Sequence, residues 1–267
     1  MRSEWNSAPL MELYDAFVGV TKSRAQFGEG VPMLDFKTIL HSPFVPQQLG
    51  GCAQVGPGEL EKYSVRQGDI FLNRTSESAA QLALSCVADE DRPGTVFTGF
   101  AKRLRPRPRC PVEARYMAGF LRSRVFRSQV AGAVAAYTTR ASLDNQALAR
   151  LTVYYPSRPV QKRLGDLLHT LWAKRQVQEA LTEALQREIA MLESQTHPQD
   201  ARPFVQQVLG ESEARQRAQL SALLQQKQML LDAQARDLEA LWDDLIEQEI
   251  GLPVRTLFFS GDAPSKI

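Results

Sequence analysis

The spacing of apolar positions changes character along the chain. Up to about residue 110, apolar residues come in runs of strand length: 33–40, 69–72, 82–87 and 95–100. Turn residues separate them, among them Gly28, Gly30, Pro32, Pro43, Pro46, Gly50, Gly51, Gly56, Pro57 and Gly58. Such runs are expected to be strands joined by loops. Arg103, Arg105, Arg107 and Arg109 then fall on every second position. In an extended chain all four project from one face, as a short cationic comb. Pro106 and Pro108 between them point to an edge strand or a polyproline-like segment. Pro111, Val112 and Glu113 open a helix, in which Tyr116, Phe120, Leu121, Val125 and Phe126 have helical spacing. Its solvent face is expected to carry Arg115, Arg122, Arg124 and Arg127. Gly132 and the polar run Tyr137, Thr138, Thr139 and Arg140 end it in a loop, and 151–155 reads as a last strand, closed by Pro156 and Pro159.

From residue 159 the period is helical. Pro159 suits a first helical position, and up to residue 194 only Gly165 breaks the run of helix formers. Leu164, Leu167, Leu168, Leu171, Leu181, Leu185 and Leu192 form an apolar stripe. A helix of that length reaches about 54 Å, more than one small domain can cover. Residues 195–203 form a turn or linker. In a second helical stretch, 204–250, Leu224, Leu231, Leu238 and Leu245 are spaced by sevens, the heptad pattern of a coiled-coil seam. The predicted class is α+β: a small mixed domain over 1–158, helices at 159–194 and 204–250 forming an antiparallel coiled coil, and a tail at 251–267. A pair of helices lying on the globular domain is the alternative.

Composition places the 267 residues among ordinary globular chains, with 43% hydrophobic and 23% charged residues. No apolar run reaches the roughly 18 residues of a membrane span. The opening residues lack a basic stretch followed by an apolar one, and Cys52, Cys86 and Cys110 form no CxxC pair. A cytoplasmic protein without a disulfide framework or thiolate metal site is therefore expected. The net charge of +2 conceals blocks: residues 1–91 carry −5, 92–150 carry +10 and 199–250 carry −5. An Arg-rich block of this kind points to a polyanion.

The sequence holds no phosphate-binding glycine loop, no HExxH and no GxSxG, and His41, His169 and His197 stand apart. The Asp/Asn-Pro-Pro-aromatic tetrapeptide of adenine methyltransferases is missing as well. A weak match to metal-dependent nucleases remains, with Asp15, Asp35 and Lys37 in the metal-binding and catalytic positions. A third reading is a coiled-coil adaptor whose basic face meets acidic helices.

Five segments in order carry a resemblance. They are Trp5 with Leu13 and the run 28–33; 65–74, with Gly68-Asp69-Ile70 at its centre; 113–123; 137–145; and 151–164, with Pro156, Pro159 and Gln161 leading into the long helix. Together they resemble one half of the DNA-specificity subunit of type I restriction–modification systems. The resemblance implies a target recognition domain followed by a spacer helix that docks methyltransferase subunits. Whole members of the family carry two such domains, so a half-length form is expected to dimerise, or to supply one half-site of a different assembly. It also implies a non-catalytic role with no cofactor of its own, S-adenosylmethionine belonging to a partner DNA adenine methyltransferase. Double-stranded DNA, that methyltransferase, a restriction subunit where cleavage accompanies methylation, and a second copy of the chain are the expected partners.

On this reading Lys102, Arg103, Arg105, Arg107, Arg109, Arg122, Arg124 and Arg127 suit phosphates. Tyr137, Thr138, Thr139 and Arg140 suit a groove, and Asn73, Arg74 and Ser76 suit base edges. Leu164, Leu168, Leu171, Leu181, Leu185, Leu224, Leu231, Leu238 and Leu245 are assigned to helix pairing and partner docking. The arginines of 113–130 have a competing use, as partners for the acidic stretch 199–250.

Overall fold

The computed structural model describes residues 5–76, 81–133 and 141–195, together with isolated helical positions between 215 and 233. In chain order the elements are β1 (Asn6–Pro9), α1 (Leu10–Leu13), β2 (Tyr14–Val18), a 3-10 turn (Arg24–Gln26), β3 (Phe27–Leu34), α2 (Phe36–His41), β4 (Gly51–Ala53), α3 (Pro57–Lys62), β5 (Ile70–Asn73) and β6 (Thr75–Ser76). Then follow β7 (Ser85–Val87), β8 (Val96–Phe97), β9 (Ala101–Pro106), α4 (Ala114–Phe120), α5 (Arg124–Ala133), β10 (Ala141–Ser142), α6 (Asn145–Ala149), β11 (Thr152–Tyr155) and α7 (Arg158–Gln195). The described residues fall into two compact units, one ending at Thr170 and one beginning at Leu171. The expected α+β class is what the chain adopts. No helix among the described residues is long and apolar enough to cross a membrane.

In the first unit an antiparallel sheet of order β2-β9-β5-β7 faces a smaller sheet, β4-β3-β8. Leu34, Ile39, Val45, Val65, Phe71, Cys86, Phe97 and Ala101 form the core between them. Helix α4 packs on β7, and α2 on β5 and β7.

Several sequence expectations shift for local reasons. The apolar run at 33–40 is not one strand. Met33 and Leu34 end β3, and Asp35 then caps α2 by accepting from the Thr38 amide at 2.8 Å. The helix predicted from 113 onward is two helices. Ser123 breaks it, its hydroxyl donating to the Phe120 carbonyl at 2.6 Å while accepting from the Phe126 amide at 3.4 Å, which starts α5. Gly132 lies inside α5 and does not end it.

Two fastenings fix the start of α7. Strand β1 pairs antiparallel with β11, two residues before the helix. Gln161 is 1% exposed; it accepts from the Glu113 amide at 2.8 Å and donates to the Pro156 carbonyl at 2.8 Å. Gly165, the single glycine of α7, marks a close approach. A Cβ there would sit 2.7 Å from the Arg115 Cβ and 2.8 Å from the Tyr116 nitrogen. Leu164 and Leu168 are buried, Leu171 is half-buried, and Leu181 is exposed. The side chain of Leu185, and the positions Leu224, Leu231, Leu238 and Leu245, lie outside the described residues.

Candidate nucleic-acid interface

Strand β6 pairs with β10 in the register Ser76↔Ala141 and Thr75↔Ser142. This ladder joins two stretches far apart in sequence, the one after β5 and the one before α6. The backbone of Arg74 is locked into the same edge: its amide donates to the Phe100 carbonyl at 3.0 Å, and its carbonyl accepts from the Leu143 amide at 2.7 Å. Phe100, in the turn between β8 and β9, is 61% exposed. Lys102 is buried, with its ammonium 2.6 Å from the Asn145 Oδ1. Burial lowers its pKa, and the neighbouring Arg74 charge adds to that. The edge therefore carries Arg74 and the exposed Phe100 ring, whereas the Lys102 ammonium, expected at a phosphate, is turned inward to Asn145. Cations and aromatic faces are the groups that meet phosphates and unstacked bases. The segments 77–80 and 134–140 adjoin the ladder and lie outside the described residues, so Tyr137, Thr138, Thr139 and Arg140 receive no placement.

Asn73 and Ser76, named beside Arg74 for base edges, turn inward. Asn73 follows Leu72 on β5, so alternation turns it to the Phe71 side. It is fully buried, and neither its Oδ1 nor its Nδ2 finds a hydrogen-bond partner. Ser76 is 6% exposed and its hydroxyl donates to the Gln81 Oε1.

The arginine comb is corrected in the same way. Arg103 and Arg105 do share a face of β9, but both spend their guanidinium groups on the protein. Arg103 donates to the Ser64 carbonyl at 2.9 Å and stands 5.3 Å from the ring centres of Phe17 and Phe97. Arg105 forms a two-pronged pair with the buried Asp69, at 2.8 and 2.7 Å, and reaches the same Ser64 carbonyl at 3.0 Å. That pairing raises the Arg105 pKa, whereas burial lowers that of Arg103. The strand ends at Pro106, so Arg107 and Arg109 leave the comb. Arg107 pairs with Asp15 at 2.9 Å, and Arg109, at φ 66°, occupies a turn.

The helix arginines divide as well. Arg122 is 2% exposed, not on a solvent face. Its Nε donates to the Ser85 carbonyl at 3.0 Å, and Nη2 lies within 3.3 Å of the Ile39, Leu40, Ser42 and Ser85 carbonyls. Burial pushes its pKa down to about 10. Arg127 donates to the Leu82 carbonyl and is likewise pushed down to about 10. Arg124 is exposed. Arg115 pairs with Asp166 at 2.9 Å. Much of the +10 block thus binds backbone carbonyls and carboxylates inside the domain.

The residues of the nuclease reading do not converge. Asp15 lies on β2, whereas Asp35 follows β3 of the other sheet and is occupied as a helix cap. Sequence reasoning missed Phe100, placed at the end of a strand, and Asn145. The only signal for Phe100 was an aromatic residue directly after Gly99.

No protein-family model matches the chain, and no curated protein does. Solved structures do match. The type I restriction-modification S subunit from M. genitalium superposes with a TM-score of 0.50 at 11% identity, covering 71% of this chain and 44% of that one. The HsdS subunit from Thermoanaerobacter tengcongensis gives 0.41 at 15% identity, covering 84% and 44%. A chain from a study of type I R-M complex assembly and conformational transition gives 0.43 at 16% identity, covering 85% and 45%. This chain therefore spans under half the length of the structures it matches, and it shares the fold of part of the first of them.

Proposed function

We propose that this chain is a non-catalytic DNA-recognition subunit, equivalent to one half of a type I specificity subunit, that directs a partner adenine methyltransferase to its target. The observation that carries the reading is the β6–β10 ladder. Within a fold shared with an S subunit, it brings the stretch after the Gly-Asp-Ile motif onto the same edge as the stretch before α6. Two segments meeting at an edge with the Arg74 charge and the exposed Phe100 make a surface suited to a groove. Arg74 contacts a base edge, Arg124 supplies a phosphate contact, and the segment 137–140 supplies the groove contacts. Helix α7 serves as spacer and docking arm, pairing with a second copy through the stripe to which the exposed Leu181 belongs. S-adenosylmethionine and any cleavage activity belong to partner subunits.

The test is duplex binding across a salt series, with and without a co-purifying methyltransferase. Affinity falling steeply with salt, together with one enriched sequence in the assembled complex, is the expected result. Affinity indifferent to salt, or equal for all sequences in the complex, rejects the reading.

A further inference from the structure

At the far end of β9 from Phe100, roughly 17–20 Å away at the rise of an extended strand, lies a cavity of about 380 Å³. Its wall includes Tyr14, Arg107, Arg109, Cys110 and Arg158. Arg107 and Arg109 follow β9 directly, whereas Arg158, far along the chain, is the first residue of α7.

The local charge is not balanced. Arg107 pairs with Asp15 at 2.9 Å, and Arg158 pairs with Glu113 at 2.6 Å. Arg109 makes no ion pair among the described residues, so three guanidinium groups meet two carboxylates. Both existing pairs are solvent-facing, with Arg107 and Arg158 exposed by 46% and 72%, and such pairs are readily exchanged. Arg109 also holds a left-handed backbone at φ 66°, where glycine carries no steric penalty. A cation is thus kept where a smaller residue fits the backbone better. The buried Tyr14 ring closes the same wall, where the Cys110 thiol faces the Val112 carbonyl.

We propose that this cavity is an anion site for a single phosphate group, gripped by Arg107, Arg109 and Arg158. An arginine fork matches phosphate oxygens two at a time, and an excess of one positive charge matches one phosphodiester. The cavity is large enough for the group attached to the phosphate as well. The phosphate comes either from a DNA backbone or from a free nucleotide.

The experiment titrates the full chain with inorganic phosphate and with adenosine monophosphate at fixed ionic strength, followed by phosphorus NMR line broadening. Duplex binding is measured across salt in parallel. The variants are Arg109→Gly, which relieves the backbone, and Arg158→Gln, at an exposed position. Wild-type chain broadens the phosphate signal, and each variant binds about tenfold more weakly or worse. If the phosphate is a backbone one, inorganic phosphate competes with duplex and each variant lowers the salt slope by about one. If it belongs to a nucleotide, the monophosphate binds more tightly than inorganic phosphate and duplex affinity is unchanged. Equal broadening by wild type and both variants overturns the proposal. Phosphate binding that depends on these arginines, in a chain that binds no duplex at all, leaves this site standing and rejects the DNA-recognition reading instead.

Discussion

Replacing Arg122 with methionine separates the two roles open to an arginine in a basic block. Methionine keeps most of the apolar stem volume and removes the guanidinium. In the structure three N–H groups, one on Nε and two on Nη2, serve the carbonyls of Ser85, Ile39, Leu40 and Ser42. Hydrogen bonds from a charged group contribute about 1.5–3 kcal/mol each, a gross gain of roughly 5–9 kcal/mol. Burial opposes it. A pKa pushed from 12.5 to about 10 corresponds to about 3 kcal/mol against the charged form. The substitution removes both terms and leaves carbonyls dry, for a net loss of about 2–5 kcal/mol. With a urea dependence of about 2 kcal/mol per molar, the unfolding midpoint followed by circular dichroism falls by roughly 1–2 M. Below the transition the folded variant binds duplex DNA with wild-type affinity and salt slope. A variant as stable as wild type whose duplex affinity falls and whose salt slope flattens would refute the reasoning and return Arg122 to the surface.

Three further outcomes follow from the packing and the charges. Gly165→Val drives a side chain into the Arg115 and Tyr116 backbone; a loss of about 1–3 kcal/mol in urea unfolding is expected, and unchanged stability contradicts the close approach. Burial pushes the Cys86 thiol up to about 12, so a thiol reagent at neutral pH modifies Cys52 and Cys110 in the native protein and Cys86 only on unfolding; early modification of Cys86 contradicts its burial. The Lys22 ammonium, 2.6 Å away, lowers the Glu59 pKa below 4.5. A depressed carboxylate contributes stability above its unfolded pKa and loses it as pH falls through the folded value. Glu59→Gln therefore makes the acid limb of the stability curve shallower below about pH 4.5, and an identical acid limb counts against the pair.

The fold was legible where local pattern and tertiary context agree. The strand-length runs around Ile70 and Val153 and the helix starting beside Pro159 read directly from residue type. The run 33–40 did not, because one aspartate cap converts an apolar stretch from strand to helix partway along. The candidate site was half legible. Two motifs fell on one edge, but charge alone could not tell a phosphate-facing arginine from one solvating the protein's own carbonyls. That distinction is set by contacts distant in sequence: Arg122 to Ile39 and Ser85, Arg103 to Ser64. The cavity where Arg109 meets no carboxylate among the described residues depends on a convergence of β9, α7 and β2 that no local pattern records.

The central claim is that this chain reads DNA for a partner enzyme. The most direct measurement is selection of bound duplexes from a random pool by the chain co-expressed with an adenine methyltransferase, with adenine methylation mapped on the recovered DNA. The account predicts one enriched sequence, methylated at a fixed adenine, with the enrichment lost when Arg74 is changed to alanine. Recovery of duplexes with no shared sequence, from a complex that methylates adenines regardless of their surroundings, would contradict it.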